Sequence, residues 1–201
     1  MTLTGAAVPR TRLQFGVLGP LSASLDGVEI GLGGRRQRAV VAVLLIARGQ
    51  QVGTERLLDA LWEGEPPPSG AASLQSYVSH LRRALEPDRP ARTPSQVLVS
   101  GPAGYAMPVG EDDVDAWRFE RLVDRAAAAP DPVTRLRLLR DALALWRGPA
   151  LAEYAGQEWA DSEARRLEEV REVAREQLLA ARLDSGETAM VVPEIEALLA
   201  E

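Results

Sequence analysis

The sequence contains no cysteine and no lysine, and its 201 residues include a single histidine. Without cysteine, disulfides and thiolate metal sites are excluded. The longest apolar run, residues 39–47, is far shorter than the roughly 20 residues of a membrane-spanning helix. Residues 1–12 also lack the apolar core of a signal peptide. These absences predict a cytoplasmic protein without membrane contact, with residues 1–12 forming a flexible tail.

Features that enzymes and metal sites need are equally scarce. The only histidine, His80, has no cluster of catalytic or metal-binding partners near it in the sequence. The glycine-rich residues 31–35 lack the Gly-Lys-Ser/Thr of a phosphate-binding loop. The acidic residues 111–115 lie where a helix is expected to begin, which favours caps and a solvated helix end. The sequence therefore predicts that the protein is not an enzyme and binds no metal or cofactor.

Charge is distributed unevenly along the chain, whose formal net charge is −6. Residues 1–110 carry 11 arginines and 8 acidic residues, whereas residues 111–201 carry 12 arginines and 21 acidic residues. The resulting charges of +3 and −9 predict a mildly basic module, residues 13–110, joined to an acidic module, residues 111–201. Arginine suits phosphate and guanine recognition, but the coding bias of a GC-rich genome also explains its exclusive use.

The basic module is expected to begin with short elements. Apolar periodicity predicts three strands and then two helices, over residues 14–18, 21–25, 28–30, 35–48 and 54–62. Asp26-Gly27 is typical of a two-residue hairpin turn, and Thr54 is placed to cap the second helix. The helix dipole disfavours the cationic first turn around Arg35 and Arg36. A nearby phosphate strand would explain this turn, and so would an ordinary solvated helix end.

Residues 69–85 give the clearest signal in the chain. Their apolar side chains recur at helical spacing, at Leu74, Val78, Leu81 and Leu85. The opposite side carries short polar groups and cations, at Ser73, Ser76, Ser79, His80 and Arg83, with Arg82 at its margin. Ser69 is placed to cap the start of this third helix. Such a helix is suited to docking by one face while the other enters the major groove of DNA.

A hairpin is predicted to follow this helix. Residues 97–107 form two short apolar segments around a glycine and proline turn. Strands, three helices and then a hairpin are the order of a winged helix-turn-helix domain. The hairpin would be the wing.

The acidic module is predicted to be entirely helical, with helices at residues 115–128, 132–146, 158–184 and 187–200. The last two resemble a tetratricopeptide-like pair. Because Leu198 and Leu199 precede no obvious capping helix, we expect the natural array to continue past Glu201 or a partner to cover this end. The predicted fold class is an α+β winged helix-turn-helix domain followed by an all-α tetratricopeptide-like domain.

The predicted DNA interface combines the third helix, the start of the first helix and the wing. We expect the side chains nearest the base edges to be Gln75, Ser76, Ser79 and His80. Phosphate contacts are expected from Arg36, Arg82 and Arg83, and the wing around Ala103 is expected at a flanking minor groove. The complete predicted set is Arg35, Arg36, Ser73, Gln75, Ser76, Ser79, His80, Arg82, Arg83, Ala103 and Gly104.

Several segments also carry a family resemblance. They read RRQRA, LLDALW, SLQSYVSHLRRAL, GPAGY and ALALWRG, at residues 35–39, 57–62, 73–85, 101–105 and 142–148. In their order and spacing, over roughly residues 13–200, the chain resembles the SARP-type antibiotic regulatory proteins. In that family an OmpR-type winged helix precedes a bacterial transcriptional activation domain.

The resemblance implies an activator of pathway genes, typically those of secondary-metabolite biosynthesis. It implies binding to direct repeats in double-stranded promoter DNA and contact with RNA polymerase, and self-association on DNA is expected at such repeats. It further implies base contacts from positions that match Ser76 and His80, with Arg82 and Arg83 as a basic pair.

A second function from a different class stays open at this point. A protein-interaction adaptor whose winged helix does not bind DNA would suit the acidic net charge and the weak +3 of the first module. The arginine pair and the polar face of residues 69–85 count against it. An electrophoretic shift with promoter-length DNA would separate the two functions.

Overall fold

The described part of the chain begins with a small antiparallel sheet. The structure, a computed structural model, describes residues 12–184. Its first three strands pair in the order β1-β2-β3, over Leu13–Gly16, Ser22–Leu25 and Val28–Glu29. Asp26 and Gly27 both have positive φ, 51° and 81°, which matches the twist of a tight two-residue hairpin. The predicted Asp-Gly turn is therefore confirmed.

Three helices and a second small sheet complete the first domain. The helices are α1, α2 and α3, over Arg35–Ile46, Thr54–Trp62 and Gly70–Leu85. The second sheet has the order β4-β6-β5, formed by Val52–Gly53, Gly104–Ala106 and Val99–Gly101. The hairpin of β5 and β6 is the wing, and β4 ties it to the start of α2. The predicted winged helix-turn-helix is confirmed, whereas β4 was not expected.

Of the two predicted helix caps, the one at Thr54 is wrong, and the one at Ser69 is confirmed in position only. Thr54 is the first residue of α2, and Gly53 occupies the N-cap position. Ser69 does occupy the N-cap position of α3, but its side chain makes no capping hydrogen bond. Both helices are instead held by their buried apolar faces, which stabilise a helix more than a single cap does.

The second domain consists of helices that pack consecutively. They are α4, α5 and α6, over Asp115–Ala127, Pro132–Leu143 and Glu158–Asp184, with a 3-10 helix at Ala152–Tyr154 before α6. The Asp131 side chain accepts a hydrogen bond from Thr134 N (2.8 Å), and Pro132 opens α5, both favourable at a helix start. The predicted helix at residues 187–200, and with it the tetratricopeptide-like pair, lies outside the described residues.

The two domains share one apolar core. A continuous cluster of buried side chains includes Leu18 and Leu44 of the first domain and Phe119, Leu139 and Leu167 of the second. Phe119, for example, is fully buried and meets Trp146 edge-on at 5.3 Å between ring centroids. The described helices of the second domain are therefore packed against the winged helix through shared apolar side chains.

The loop between β1 and β2 is clamped by polar groups of the second domain. Asp115 accepts hydrogen bonds from Val17 N (2.7 Å) and Leu18 N (3.2 Å), and Glu153 accepts one from Leu21 N (2.9 Å). Arg147 N donates in return to Leu18 O (2.8 Å). Asp115 was predicted to lie at a solvated helix end, but it connects the two domains through these hydrogen bonds.

The two carboxyl groups of this joint have opposite pKa shifts. Burial raises the pKa of Asp115 above its ordinary value, although the bonds from Val17 and Leu18 act in the opposite direction. The hydrogen bond from Arg38 lowers the pKa of Glu153. Arg38 also donates to Leu21 O, so one guanidinium joins α1, the β1–β2 loop and the 3-10 helix.

Candidate nucleic-acid interface

Helix α3 presents a polar surface to solvent. Its apolar side is sealed in the core, where Leu74, Val78, Leu81 and Leu85 are each at most 2% exposed. Five side chains predicted to face DNA are exposed, at Gln75, Ser76, Ser79, His80 and Arg83. Ser73 is half-buried at the edge of this surface. Residues 111–184, the described part of the acidic second domain, therefore do not cover the outer face of α3.

The wing stands beside α3 because its backbone is anchored to β4. Gly104 pairs with Gly53, and Val52 with Tyr105. A side chain at Gly104, whose φ is +146°, would place a Cβ 2.0 Å from Val52 O. Ala103 at the tip is exposed, and its N–H donates to Gln51 Oε1 (3.2 Å). Gly104 thus has a structural reason to be glycine, whether or not it also meets DNA.

Arg82 fixes the wing to α3. Its Nε donates to Leu98 O (2.8 Å) and its Nη2 to Ser100 Oγ (2.7 Å), both at strand β5 or just before it. The side chain is half-buried, whereas that of Arg83 is exposed and, among residues 12–184, bonds only Ser79 O, through Nε (3.3 Å). Of the predicted basic pair, Arg83 has more of its guanidinium available to an external phosphate.

The cationic first turn of α1 has partners within the protein. Arg36 Nε donates to Leu61 O (3.2 Å), and its guanidinium lies 5.1 Å from the ring centroid of Trp62. Arg35 is exposed, 6.0 Å from the ring of Tyr154, whose hydroxyl donates to Arg35 O (3.3 Å). These contacts explain the unusual charge at this helix start without a phosphate, and DNA contact by Arg35 and Arg36 stays a prediction.

Two arginines outside the predicted DNA-binding set lie next to α3. Arg89 and Arg92 belong to the loop after α3 and, together with Arg82 and Arg83, line a groove against β5. Their only sequence signal is positive charge in a loop with several prolines, which does not indicate where the loop folds. The structure thus gathers basic side chains near the C-terminal half of α3.

Other kinds of site find no support in the part of the chain that the structure describes. Between residues 12 and 184 there is no group of three or more His, Cys, Asp or Glu side chains that could hold a metal ion. Within the same limits, no helix is both long and apolar enough to cross a membrane.

Two family models match the chain in succession. One, described as "Transcriptional regulatory protein, C terminal", matches residues 29–107. The other, described as "Bacterial transcriptional activator domain", matches residues 114–201. The first match spans α1 to the wing, and the second begins one residue before α4.

Relatives with these features are transcriptional regulators. The chain is 37% identical over 202 aligned positions to the transcriptional regulatory protein EmbR of Mycobacterium tuberculosis, a match covering 99% of this chain and 52% of EmbR. It is 38% identical to the regulatory protein AfsR of Streptomyces coelicolor, over 94% of this chain and 18% of AfsR. The transcriptional regulator RedD of the same organism is 31% identical, over 94% of this chain and 55% of RedD.

One solved structure is similar over nearly the whole chain. It is Mycobacterium tuberculosis EmbR in complex with a low affinity phosphopeptide, with a TM-score of 0.84 and 36% identity. The match covers 94% of this chain and 50% of that one. The chain therefore spans about half the length of the EmbR relatives that it matches.

Proposed function

Because the chain belongs to the SARP-type transcriptional regulators, we propose that it is a sequence-specific DNA-binding activator of pathway genes. The observation that carries this proposal is the outer face of α3, which is polar, cationic and exposed while the inner face is locked in the core. The relatives are transcriptional regulators rather than enzymes, which supports a non-enzymatic role.

In this proposal α3 enters the major groove. Its 16 residues span about 24 Å, long enough to lie along the groove floor. Gln75, Ser76, Ser79 and His80 then face the base edges, with Ser73 at the margin. Hydroxyl and imidazole groups discriminate modestly between bases, so specificity would depend on repeated sites.

The remaining proposed contacts are to the backbone and the minor groove. Arg83 contacts a phosphate, and Arg82 adds positive charge while holding the wing in place. The wing tip, Ala103 with Gly104, approaches a flanking minor groove. Arg35 and Arg36 are the remaining proposed phosphate contacts. They would use the guanidinium N–H groups that are not already bonded within the protein.

The second domain is proposed to act on the transcription machinery. Residues 111–201 carry a net charge of −9, which repels DNA and leaves their surface for protein partners. We propose contact with RNA polymerase, binding to direct repeats in promoters, and self-association of copies on adjacent repeats. Footprinting on the DNA flanking the gene would show two evenly spaced protected tracts if copies bind such repeats.

An adaptor that does not bind DNA is the second candidate. Two of the predicted phosphate contacts, Arg36 and Arg82, bond backbone carbonyls of the protein itself, which favours this candidate. An electrophoretic shift with promoter-length DNA, at low and moderate salt, separates the two functions. Absence of a shift in both conditions would remove the proposal and leave the adaptor.

Arg83→Ala is expected to weaken binding to every DNA sequence alike and to reduce the salt slope by about one unit. The reason is that one phosphate contact, with its released counterion, disappears. Fluorescence titration on a random duplex over a series of salt concentrations measures both quantities. Arg125→Ala, at an exposed arginine in the last turn of α4, is the matched control and should bind as the wild type does. An unchanged slope for Arg83→Ala would remove the phosphate assignment.

His80→Ala is expected to change base preference at one position of the binding site. The imidazole faces the base edge in the proposed geometry, so its removal relaxes the choice of base at one position by about 1 kcal/mol, the scale of a single hydrogen bond. Selection of binding sites from a random pool reads this directly, and Arg83→Ala should return the wild-type motif. If His80→Ala also returns that motif, His80 has no role in base readout.

A further inference from the structure

A basic groove lies between α3 and the wing. It has a volume of about 790 Å³ and is bounded by the C-terminal half of α3, the following loop and β5. Four arginines line it, Arg82, Arg83, Arg89 and Arg92, and the lining contributed by residues 12–184 includes no carboxylate. In a chain whose net charge is −6, this is a marked local excess of positive charge.

The loop that forms one wall of the groove is held in a defined shape. Glu86, at the C-cap of α3, accepts hydrogen bonds from Ser95 Oγ and from Gln96 N (2.8 Å). Ser95 is only 8% exposed, and its Oγ also accepts a bond from Leu98 N (3.1 Å). These bonds return the loop to α3 immediately before the wing begins, so the groove is built by the fold.

The arginines differ in how many hydrogen bonds and ion pairs each guanidinium makes within the protein. Arg89 donates to Thr93 O, and its Nε lies 3.7 Å from Glu86 Oε2. Arg92 is exposed, with a left-handed φ of 66°, and forms no side-chain hydrogen bond or ion pair with any other residue between 12 and 184. Arg89 is thus anchored in the wall, whereas Arg92 has all its donors available.

Duplex geometry indicates what the groove accommodates. The major and minor grooves of DNA are separated by a sugar-phosphate backbone. If α3 occupies the major groove and the wing tip the neighbouring minor groove, that backbone must pass between helix and wing. The four-arginine groove lies between these two elements. Arginine presents several N–H donors in a planar fork and binds phosphate oxygens well.

We propose that this groove seats the sugar-phosphate backbone of the bound duplex, with Arg89 and Arg92 as phosphate contacts additional to the recognition face. This proposal rests on the proposed function, because it assumes that α3 and the wing engage DNA. The two arginines carry no base readout. They set affinity and salt dependence, and they hold the register in which α3 meets the bases.

The test compares Arg92→Gln and the double variant R89Q/R92Q with wild type on a random-sequence duplex across a salt series. Arg92→Gln is expected to reduce the salt slope by about one unit and the double variant by about two. Binding-site selection with Arg92→Gln should return the wild-type motif. The matched control is R125Q/R137Q, which makes the same change in net charge at exposed positions of α4 and α5. It should keep the wild-type slope.

The outcomes separate this proposal from the function on which it rests. If the wild type binds no duplex, the proposed function fails. If the wild type binds and Arg83→Ala reduces the slope, but Arg92→Gln and R89Q/R92Q keep the wild-type slope, the groove proposal is overturned and the function stands. Thermal melting checks the fold of each variant. Should the double variant melt early because Arg89 has lost Thr93, Arg92→Gln decides alone, since that side chain bonds nothing in the described fold.

Discussion

Replacing Leu81 with alanine is expected to lower the free energy of unfolding by about 2–5 kcal/mol. Leu81 is fully buried on the inner face of α3, so truncation leaves a cavity under the helix that carries the proposed recognition surface. The loss combines the transfer free energy of the removed atoms with the cost of that cavity. Chemical denaturation followed by circular dichroism measures the change directly.

The control for Leu81→Ala is an exposed position of the same helix. Gln75 is exposed, so Gln75→Ala should change the free energy of unfolding by no more than about 0.5 kcal/mol. A loss for Leu81→Ala as small as that of Gln75→Ala would mean that the apolar face of α3 is not held in the core as described.

Gly104→Ala is expected to destabilise the protein by roughly 3 kcal/mol or more, and to weaken DNA binding by about tenfold. The residue has a φ of +146°, and a Cβ there would meet Val52 O at 2.0 Å and Gly53 Cα at 3.0 Å. These are backbone atoms of β4, so relief requires the wing to leave that strand. Ala103 and Arg82 would then lose their positions relative to α3.

Gly27→Ala measures the cost of a positive φ at a non-glycine residue without the steric clash present at Gly104. Gly27 also has a positive φ, +81°, but a Cβ there meets nothing within 4 Å. It is expected to cost only about 1 kcal/mol and to leave DNA affinity unchanged, because the β2–β3 turn is remote from the wing in the chain. Equal melting temperatures and equal DNA affinities for the two variants would contradict the steric account of Gly104.

The elements best predicted from the sequence are those whose periodicity is local. The bounds of α2 and α6 match the predicted residues 54–62 and 158–184, and α3 begins one residue later than predicted. The exposed and buried faces of α3 also follow the predicted pattern, because 3.6-residue spacing alone sorts its side chains. The Asp26-Gly27 turn was predicted correctly for the same reason, because its conformation depends on two adjacent residues.

The features that were missed depend on partners distant in the sequence. Strand β4 has two residues and exists only because β6, some fifty positions later, pairs with it. Asp115 joins loop atoms nearly a hundred positions away, which no local pattern encodes. Similarly, Arg89 and Arg92 become neighbours of α3 only through Glu86 and Ser95. For the site, sequence therefore identified the polar face of one helix, whereas the groove beside it required the folded loop.

The clamp on the β1–β2 loop has a consequence for how a bound copy would be oriented. Asp115, Glu153 and Arg147 bond the loop, and the buried side chains of α6 belong to the core that both domains share, so α6, about 40 Å long, has a defined direction relative to α3. When α3 is bound to a duplex, the base pairs that it contacts therefore determine the side of the DNA on which α6 lies. Sliding the site by about five base pairs, half a helical turn, swings α6 to the opposite side of the DNA.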